Sequence, residues 1–137
     1  MQIIRLLIPC LCGFFLTGCT GNSGGPVTYQ VSGEVTFEGQ PVSEGQILLI
    51  PAQGAGQRQA GQIQNGQYSL ESTTGMKRVE ITAYRTDESK QEPDPAGSGK
   101  TVAARVQYIP DKFNKQSTLE IEVQTDGENH FTFELAP

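Results

Sequence analysis

Apolar and polar residues alternate along much of the chain after position 29, and a period of two predicts β-strands with one buried face. The alternation is clearest in residues 29–37, 78–84, 119–123 and 131–135, where the odd-numbered positions are mostly apolar. The segment 46–50 differs, because its last four residues are all apolar. Such a run predicts a central strand that is covered on both faces.

Turn signals separate these segments. Asn65-Gly66 stands between two alternating stretches and predicts a β-hairpin, because a type I′ turn needs a positive φ at both central residues. The Gly and Pro within residues 38–42 predict a second turn. Asp126-Gly127 lies between the last two strand segments, which we therefore expect to form a closing hairpin.

The longer connections are polar. Residues 53–58 predict a mobile loop, and Thr86–Thr101 predicts a long loop that is either functional or disordered. A short strand is expected at residues 102–106. Because the chain shows about seven strands and no helical apolar spacing after residue 29, we predict an all-β fold, a single seven-stranded antiparallel β-sandwich over residues 29–137.

The N-terminal segment has a different pattern. Residues 3–16 form a brief, mostly apolar run that contains Arg5 and Pro9 and is followed by small residues. A membrane-spanning helix needs about 20 apolar residues, so this segment is too short to span, and its layout is that of a secretory signal. Leu16-Thr-Gly-Cys19 matches the lipobox of bacterial lipoproteins.

The lipobox match implies three parts: a cleaved signal peptide over residues 1–18, a lipidated Cys19 with a flexible tether to residue 28, and the domain that follows. In bacterial lipoproteins the cysteine sulfur carries a diacylglyceryl group, and the new amine is often acylated, for example with palmitate. Two or three acyl chains give stable anchoring, whereas one chain binds only marginally. We therefore expect the protein on the periplasmic or outer side of a membrane, in the cell envelope.

The other cysteines agree with this interpretation. Cys10 and Cys12 would leave with the signal peptide and Cys19 would carry lipid, so no thiol would remain for a disulfide, a metal site or nucleophilic attack.

Charge narrows the choice of partners. The 137-residue chain has a formal net charge of −5, and an acidic domain has no electrostatic reason to bind nucleic acid.

Two segments resemble ligand-binding motifs but lack the residue spacing that those motifs need. Gly97–Thr101 resembles the end of a phosphate-binding loop, but the position that needs the first glycine is Asp94 and no strand-to-helix context is predicted. The acidic residues 87–94 lack the spacing of a calcium-binding EF-hand, so a solvated loop is expected. We expect no nucleotide, metal or other cofactor.

His130 is the only histidine, and the alternation puts it on the wet face of the last strand. One imidazole without cysteine or a second nearby ligand does not build a zinc site. No Gly-x-Ser-x-Gly turn surrounds any serine, so no catalytic residue is predicted.

The aromatic residues supply candidate binding positions. Tyr84 falls on the polar side of its strand, and Tyr108 and Phe113 flank Pro110. Aromatic side chains with a polar rim can stack on sugars or peptides. The alternative is that these three residues only cover one end of the sandwich.

The chain resembles small lipoproteins, abundant in planctomycetes, that carry one transthyretin-like (prealbumin-like) or carboxypeptidase-regulatory-like domain. The matching segments cover nearly all of residues 29–137 and are Val31–Val35 with Phe37, Gly39–Val42, Gly45, Asn65–Tyr68, Tyr108–Asn114 and Gly127–Phe133. The resemblance implies a Greek-key arrangement of the seven strands and a place at the envelope. It implies no activity, since the group has no settled one.

Enzymes on related sandwiches, such as hydroxyisourate hydrolases, use several histidines and end in Arg-Gly-Ser. This chain has one histidine and ends in Glu134-Leu-Ala-Pro137, which argues against that enzymatic branch.

The first functional hypothesis is a lipid-anchored, non-enzymatic envelope domain with an interaction or structural role. The alternative is a module that binds an envelope glycan or peptide through loops 54–58, 86–101 and 108–114 at one end of the sandwich. A hydrolase that uses His130 is a third class.

Overall fold

A computed structural model describes residues 24–137, and this part of the chain is all-β with no α-helix. The strands are β1 (Tyr29–Phe37), β2 (Gln40–Pro41), β3 (Glu44–Pro51), β4 (Gln59–Gln64), β5 (Gln67–Ser72), β6 (Gly75–Pro93), β7 (Thr101–Gln107), β8 (Glu120–Val123) and β9 (His130–Leu135). A single 3₁₀ turn covers Asp111–Phe113 within the same range.

The nine strands of residues 24–137 form one curled sheet in the order β2-β1-β5-β4-β3-β6-β7. Two strands lie off this path: β8 pairs with the beginning of β6, and β9 pairs with β1. The pairs are antiparallel except for β1 and β9, which run parallel with Ser32 opposite His130 and Phe37 opposite Leu135. The prediction of an all-β, largely antiparallel fold is confirmed.

The inside of the curl holds the hydrophobic core, because alternate residues of the strands point inward as the period of two requires. Fully buried members are Val31, Val35, Ile47, Leu49, Ile63, Val79, Ile81 and Ala83, and Tyr29, Phe37, Tyr108, Phe113, Leu119 and Phe131 pack against them. The central position of residues 46–50 is confirmed, since β3 lies between β4 and β6. The expectation that both faces are covered is wrong, because Leu48 and Ile50 remain partly exposed on the outer face.

The predicted hairpin at Asn65-Gly66 is confirmed. It joins β4 to β5, and the two residues have φ values of 51° and 81°. A β-carbon on Gly66 would come within 2.8 Å of the Pro41 Cβ, so both the dihedral angle and the packing favour glycine here.

The prediction that the last two strands form a closing hairpin is wrong. β8 pairs with β6, whereas β9 pairs with β1, so the two strands lie on different sides of the core. Their inward residues, among them Ile121, Val123, Phe133 and Leu135, are buried as the alternation predicts. Local sequence located both strands, but their partners are distant in the chain.

The prediction of a polar loop over Thr86–Thr101 is also wrong. β6 continues to Pro93, and its second half pairs with β7, so that only Asp94–Lys100 remain as a connection. A bulge interrupts the ladder between Asp87 and Gln91. We call residues 84–107 the ribbon, and residues 29–83 with 108–137 the body.

The strand register gives the body two ends. At the tether end β1 begins, with Tyr29 opposite Ser72 and Pro51 opposite Lys77. At the other end, which we call the aromatic end, the ribbon leaves the body, and Ala83 is opposite Gly45. Lys77 and Ala83 are six positions apart in β6, which corresponds to about 20 Å of strand.

Candidate functional site

Tyr84 is the first residue of the ribbon and follows Ala83, the last buried position of the alternation in β6. Its side chain lies on the outer face of the sheet and is 48% exposed. The guanidinium carbon of Arg105 lies 5.4 Å from the centroid of the Tyr84 ring, a cation–π contact. Arg105 also approaches Glu44, with 4.0 Å between Nη2 and Oε1. The Tyr84 ring thus contacts Arg105 of β7, which in turn approaches β3, and the ring remains half exposed.

Tyr108 lies next to it, just after β7. Its backbone N–H donates to the Ala83 carbonyl at 3.1 Å, which brings the end of β7 beside Tyr84. The Tyr108 ring meets Phe37 edge-on, with centroids 5.6 Å apart, and the Arg85 guanidinium carbon lies 5.5 Å from its centroid. Burial raises the pKa of the Tyr108 phenol, and the charge of Arg85 partly opposes this shift.

Grooves meet at these two tyrosines. A groove of about 440 Å³ at the aromatic end is lined by Phe37, Pro41, Tyr84, Arg85 and Tyr108, with Glu38 and Glu44 at its rim. A second groove, of about 430 Å³, is lined by Tyr84 and Tyr108 together with mostly polar residues of β6 and of the segment 107–115. Tyr84 also lines a third, of about 250 Å³.

The chemistry of these grooves is that of a binding surface. Aromatic rings provide flat apolar contact area, and the arginine and glutamate side chains around them provide hydrogen bonds. Arg85 belongs to no ion pair within residues 24–137, and its guanidinium lies over the Tyr108 ring.

Phe113, the third predicted position, is not part of this surface. It ends the 3₁₀ turn, packs against the core and lies under the Lys112 ammonium, 5.0 Å from the ring centroid. The structure therefore brings Tyr84 and Tyr108 together and leaves Phe113 apart.

The loops of the alternative hypothesis do not converge. Residues 54–58 connect the last part of β3 to the first part of β4 at the tether end, whereas Tyr108 lies beside Ala83 at the aromatic end. The expectation that loops 54–58, 86–101 and 108–114 share one end is wrong, because register, not loop composition, decides which loops are neighbours.

His130 lies on the exposed face of β9, as the alternation predicts. The parallel pairing with β1 brings its Nδ1 to 3.4 Å from the Ser32 hydroxyl oxygen, a long contact that the sequence does not indicate. No carboxylate forms an ion pair with His130 in the described chain, and the pair stands on an open sheet face.

The acidic residues of the ribbon serve its own backbone. Asp87 accepts a hydrogen bond from the Ser89 amide at 3.1 Å, and Asp94 accepts one from the Ala96 amide at 2.9 Å. Hydrogen bonds from the Ser89 and Ser98 hydroxyls, together with these amide bonds and the Lys90 charge beside Asp87, lower the pKa of the two carboxyls. No three His, Cys, Asp or Glu side chains gather as a metal site in residues 24–137.

The glycine-rich run 97–101 leads into strand β7 and not into a helix. It therefore lacks the helix N-terminus that binds phosphate in a nucleotide-binding loop.

Lys77 is a buried titratable residue that the sequence interpretation missed. It points inward from β6, is 2% exposed, and its Nζ donates to the Thr73 hydroxyl at 2.7 Å. No carboxylate pairs with it in the described part of the chain, and burial lowers the pKa of its ammonium. The alternation could have predicted its burial, since position 77 is odd-numbered like the buried positions 79, 81 and 83.

Cys19 and the signal peptide lie outside the described residues, so the lipobox prediction is not tested by the structure. Residues 24–137 contain no helix that is long and apolar enough to cross a membrane.

Comparisons with known proteins add little. No protein-family model and no curated protein matches the chain. Among solved structures, a 9R-lipoxygenase from Cyanothece aligns over 80% of this chain with 10% identity and a TM-score of 0.35, and the chain spans 16% of that enzyme's length. A likeness this weak supports no inference about fold or function.

Proposed function

We propose that the protein is a lipid-anchored, non-enzymatic domain of the cell envelope that acts by binding a partner at the aromatic end. We further propose that the curled sheet is a Greek-key sandwich of the transthyretin-like class. The shared core between the β1–β5–β9 side and the β3–β4–β6 side supports this fold assignment.

The exposure of Tyr84 is the observation on which the binding role rests. A tyrosine that is 48% exposed where grooves meet is available to a ligand, and Arg105 and Arg85 supply charged donors beside it. Because β1 begins at the tether end, a lipid on Cys19 would leave the aromatic end directed away from the membrane. An envelope glycan or peptide is the class of ligand that fits aromatic rings with a polar rim.

Binding is tested with arrays of envelope glycans and with cell-wall fragments. We expect saturable binding that weakens at least tenfold in Tyr84→Ala, with the fold intact by circular dichroism. His130→Ala, on the outer face of another strand, is the matched control and should bind as the wild type does. Equal binding by the wild type and Tyr84→Ala would refute the proposed site. Turnover of a hydrolase substrate that His130→Ala abolishes would favour the third class.

The anchor is tested separately. Cys19→Ser should abolish metabolic labelling with a palmitate analogue and move the protein from the membrane to the soluble fraction. Retention of label in Cys19→Ser would show that the lipobox assignment is wrong, whatever the outcome at Tyr84.

A further inference from the structure

The outer edge of β7 is unpaired. In the described chain β7 pairs with β6 alone and ends the strand order of the sheet. The bond from the Tyr108 N–H to the Ala83 carbonyl identifies Tyr84 and Gln107 as a non-hydrogen-bonded pair. Alternate residues of β7, namely Thr101, Ala103, Arg105 and Gln107, therefore direct their backbone N–H and C=O groups outward.

The two edges of the ribbon differ in how they are protected. Natural edge strands avoid adding further strands by means of bulges, prolines and charged residues. The β6 edge has all three: the bulge between Asp87 and Gln91, Pro93, and several charged side chains. β7 has no bulge of its own, no proline and no glycine, and Arg105 is its one charged residue. Within residues 24–137 the Arg105 N–H makes one long bond, of 3.4 Å, to Glu92 Oε1 of β6, which a pairing strand would have to displace.

The sequence of β7 is complementary to itself. If two copies align antiparallel about Ala104, Val102 of one copy lies opposite Val106 of the other, and Ala103 lies opposite Arg105. Like charges directly opposite each other would destabilise the pair, and this register has none. Because Ala104 directs its backbone groups toward β6, Ala103 and Arg105 form hydrogen-bonded pairs in this register.

We propose that two copies of the chain associate through β7, so that the two ribbons form one four-stranded antiparallel sheet around a twofold axis at Ala104. Pairing satisfies the outward N–H and C=O groups of both edges and covers Val102, which is 38% exposed in the single chain. A short strand pair buries little area, so this dimer is of the weak, transient class. Confinement of both copies to one membrane would raise their effective concentration.

Cysteine cross-linking tests the register directly. Across a non-hydrogen-bonded pair the Cα atoms lie about 4.5 Å apart, within the range that a disulfide spans. Full-length Ala104→Cys, oxidised with copper phenanthroline, should form a disulfide dimer that mass spectrometry maps to position 104. Val102→Cys and Val106→Cys should cross-link when mixed and far less when each is oxidised alone. The wild type and Thr132→Cys, on exposed β9, are the controls for background cross-linking.

Ala103→Pro provides the complementary test. It removes an outward N–H without removing a bond between β6 and β7, so the ribbon remains and the pairing is lost. We expect at least a tenfold fall in the yield of Ala104→Cys dimer when Ala103→Pro is added. Background cross-linking only, an undiminished yield with Ala103→Pro, or equal self-cross-linking at positions 102, 104 and 106 would each overturn the proposal.

Discussion

The two halves of β6 belong to one strand of 19 residues but lie in different surroundings. From Gly75 to Ala83 the strand is part of the body, and Val79, Ile81 and Ala83 are fully buried. From Tyr84 to Pro93 it is part of the ribbon, where almost every side chain is exposed. The body encloses the hydrophobic core inside the curl of the sheet, whereas most side chains of the ribbon face solvent. Backbone pairing alone thus maintains an extended chain, and burial requires a facing layer.

Substitution of glycine by alanine should give the largest difference in unfolding free energy between the body and the ribbon. A β-carbon on Gly33 would lie 1.8 Å from the Phe131 carbonyl oxygen, which also accepts a bond from the Tyr68 hydroxyl. Gly33→Ala should therefore break the pairing of β1 with β9 and cost about 4 kcal/mol or more of unfolding free energy. Gly97→Ala in the ribbon, with nothing within 4 Å, should cost only about 1 kcal/mol for its positive φ.

Chemical denaturation of both variants measures this contrast. Equal losses for Gly33→Ala and Gly97→Ala would mean that β9 does not pack against β1 as described.

Truncation of an apolar side chain is the second comparison. Ile47 is fully buried in the body, so Ile47→Ala should lower the unfolding free energy by about 2–5 kcal/mol. Val102 in the ribbon is 38% exposed, and Val102→Ala should stay within about 0.5 kcal/mol in dilute protein. Urea denaturation gives both values, and a large loss for Val102→Ala would show that the ribbon has a facing layer of its own.

Substitution of Lys77 should change the unfolding free energy least, and its effect should depend on pH. Its pKa is lowered in the folded chain, so the folded state releases this proton more readily than the unfolded state. The cost of the buried ammonium is complete below the folded pKa and is relieved as pH rises toward about 10.4, the unfolded value.

Lys77→Met should therefore be as stable as the wild type at pH 7 or more stable, by up to about 1 kcal/mol, and this advantage should shrink at pH 10. Thermal unfolding at pH 7 and pH 10 measures it. An advantage that grows with pH would contradict the assigned cause.

The candidate site was predictable in part. Tyr84 could be located because the alternation puts this aromatic residue on the outward side of its strand, and Tyr108 because it follows a strand and stands two residues before a proline. Their proximity, and the Arg85 and Arg105 contacts, could not be predicted, since these depend on the pairing of β6 with β7. Phe113 lies on the other side of Pro110 from Tyr108, and the 3₁₀ turn packs it against the core.

Sequence alone decided where most strands of the body lie and which side of each is buried, because the alternation of β1, the first half of β6, β8 and β9 is a local property of the polypeptide. The turn at Asn65-Gly66 was equally local, since only residues that tolerate a positive φ form it. Tertiary structure decided which strands pair. β8 and β9 are separated by a short loop but join different strands, because the long-range gain from completing the core exceeds that of a local hairpin. Long-range pairing also makes residues 86–93 a strand. Hydrogen bonds to β7 form there, although the sequence of these residues has no apolar alternation that would predict a strand.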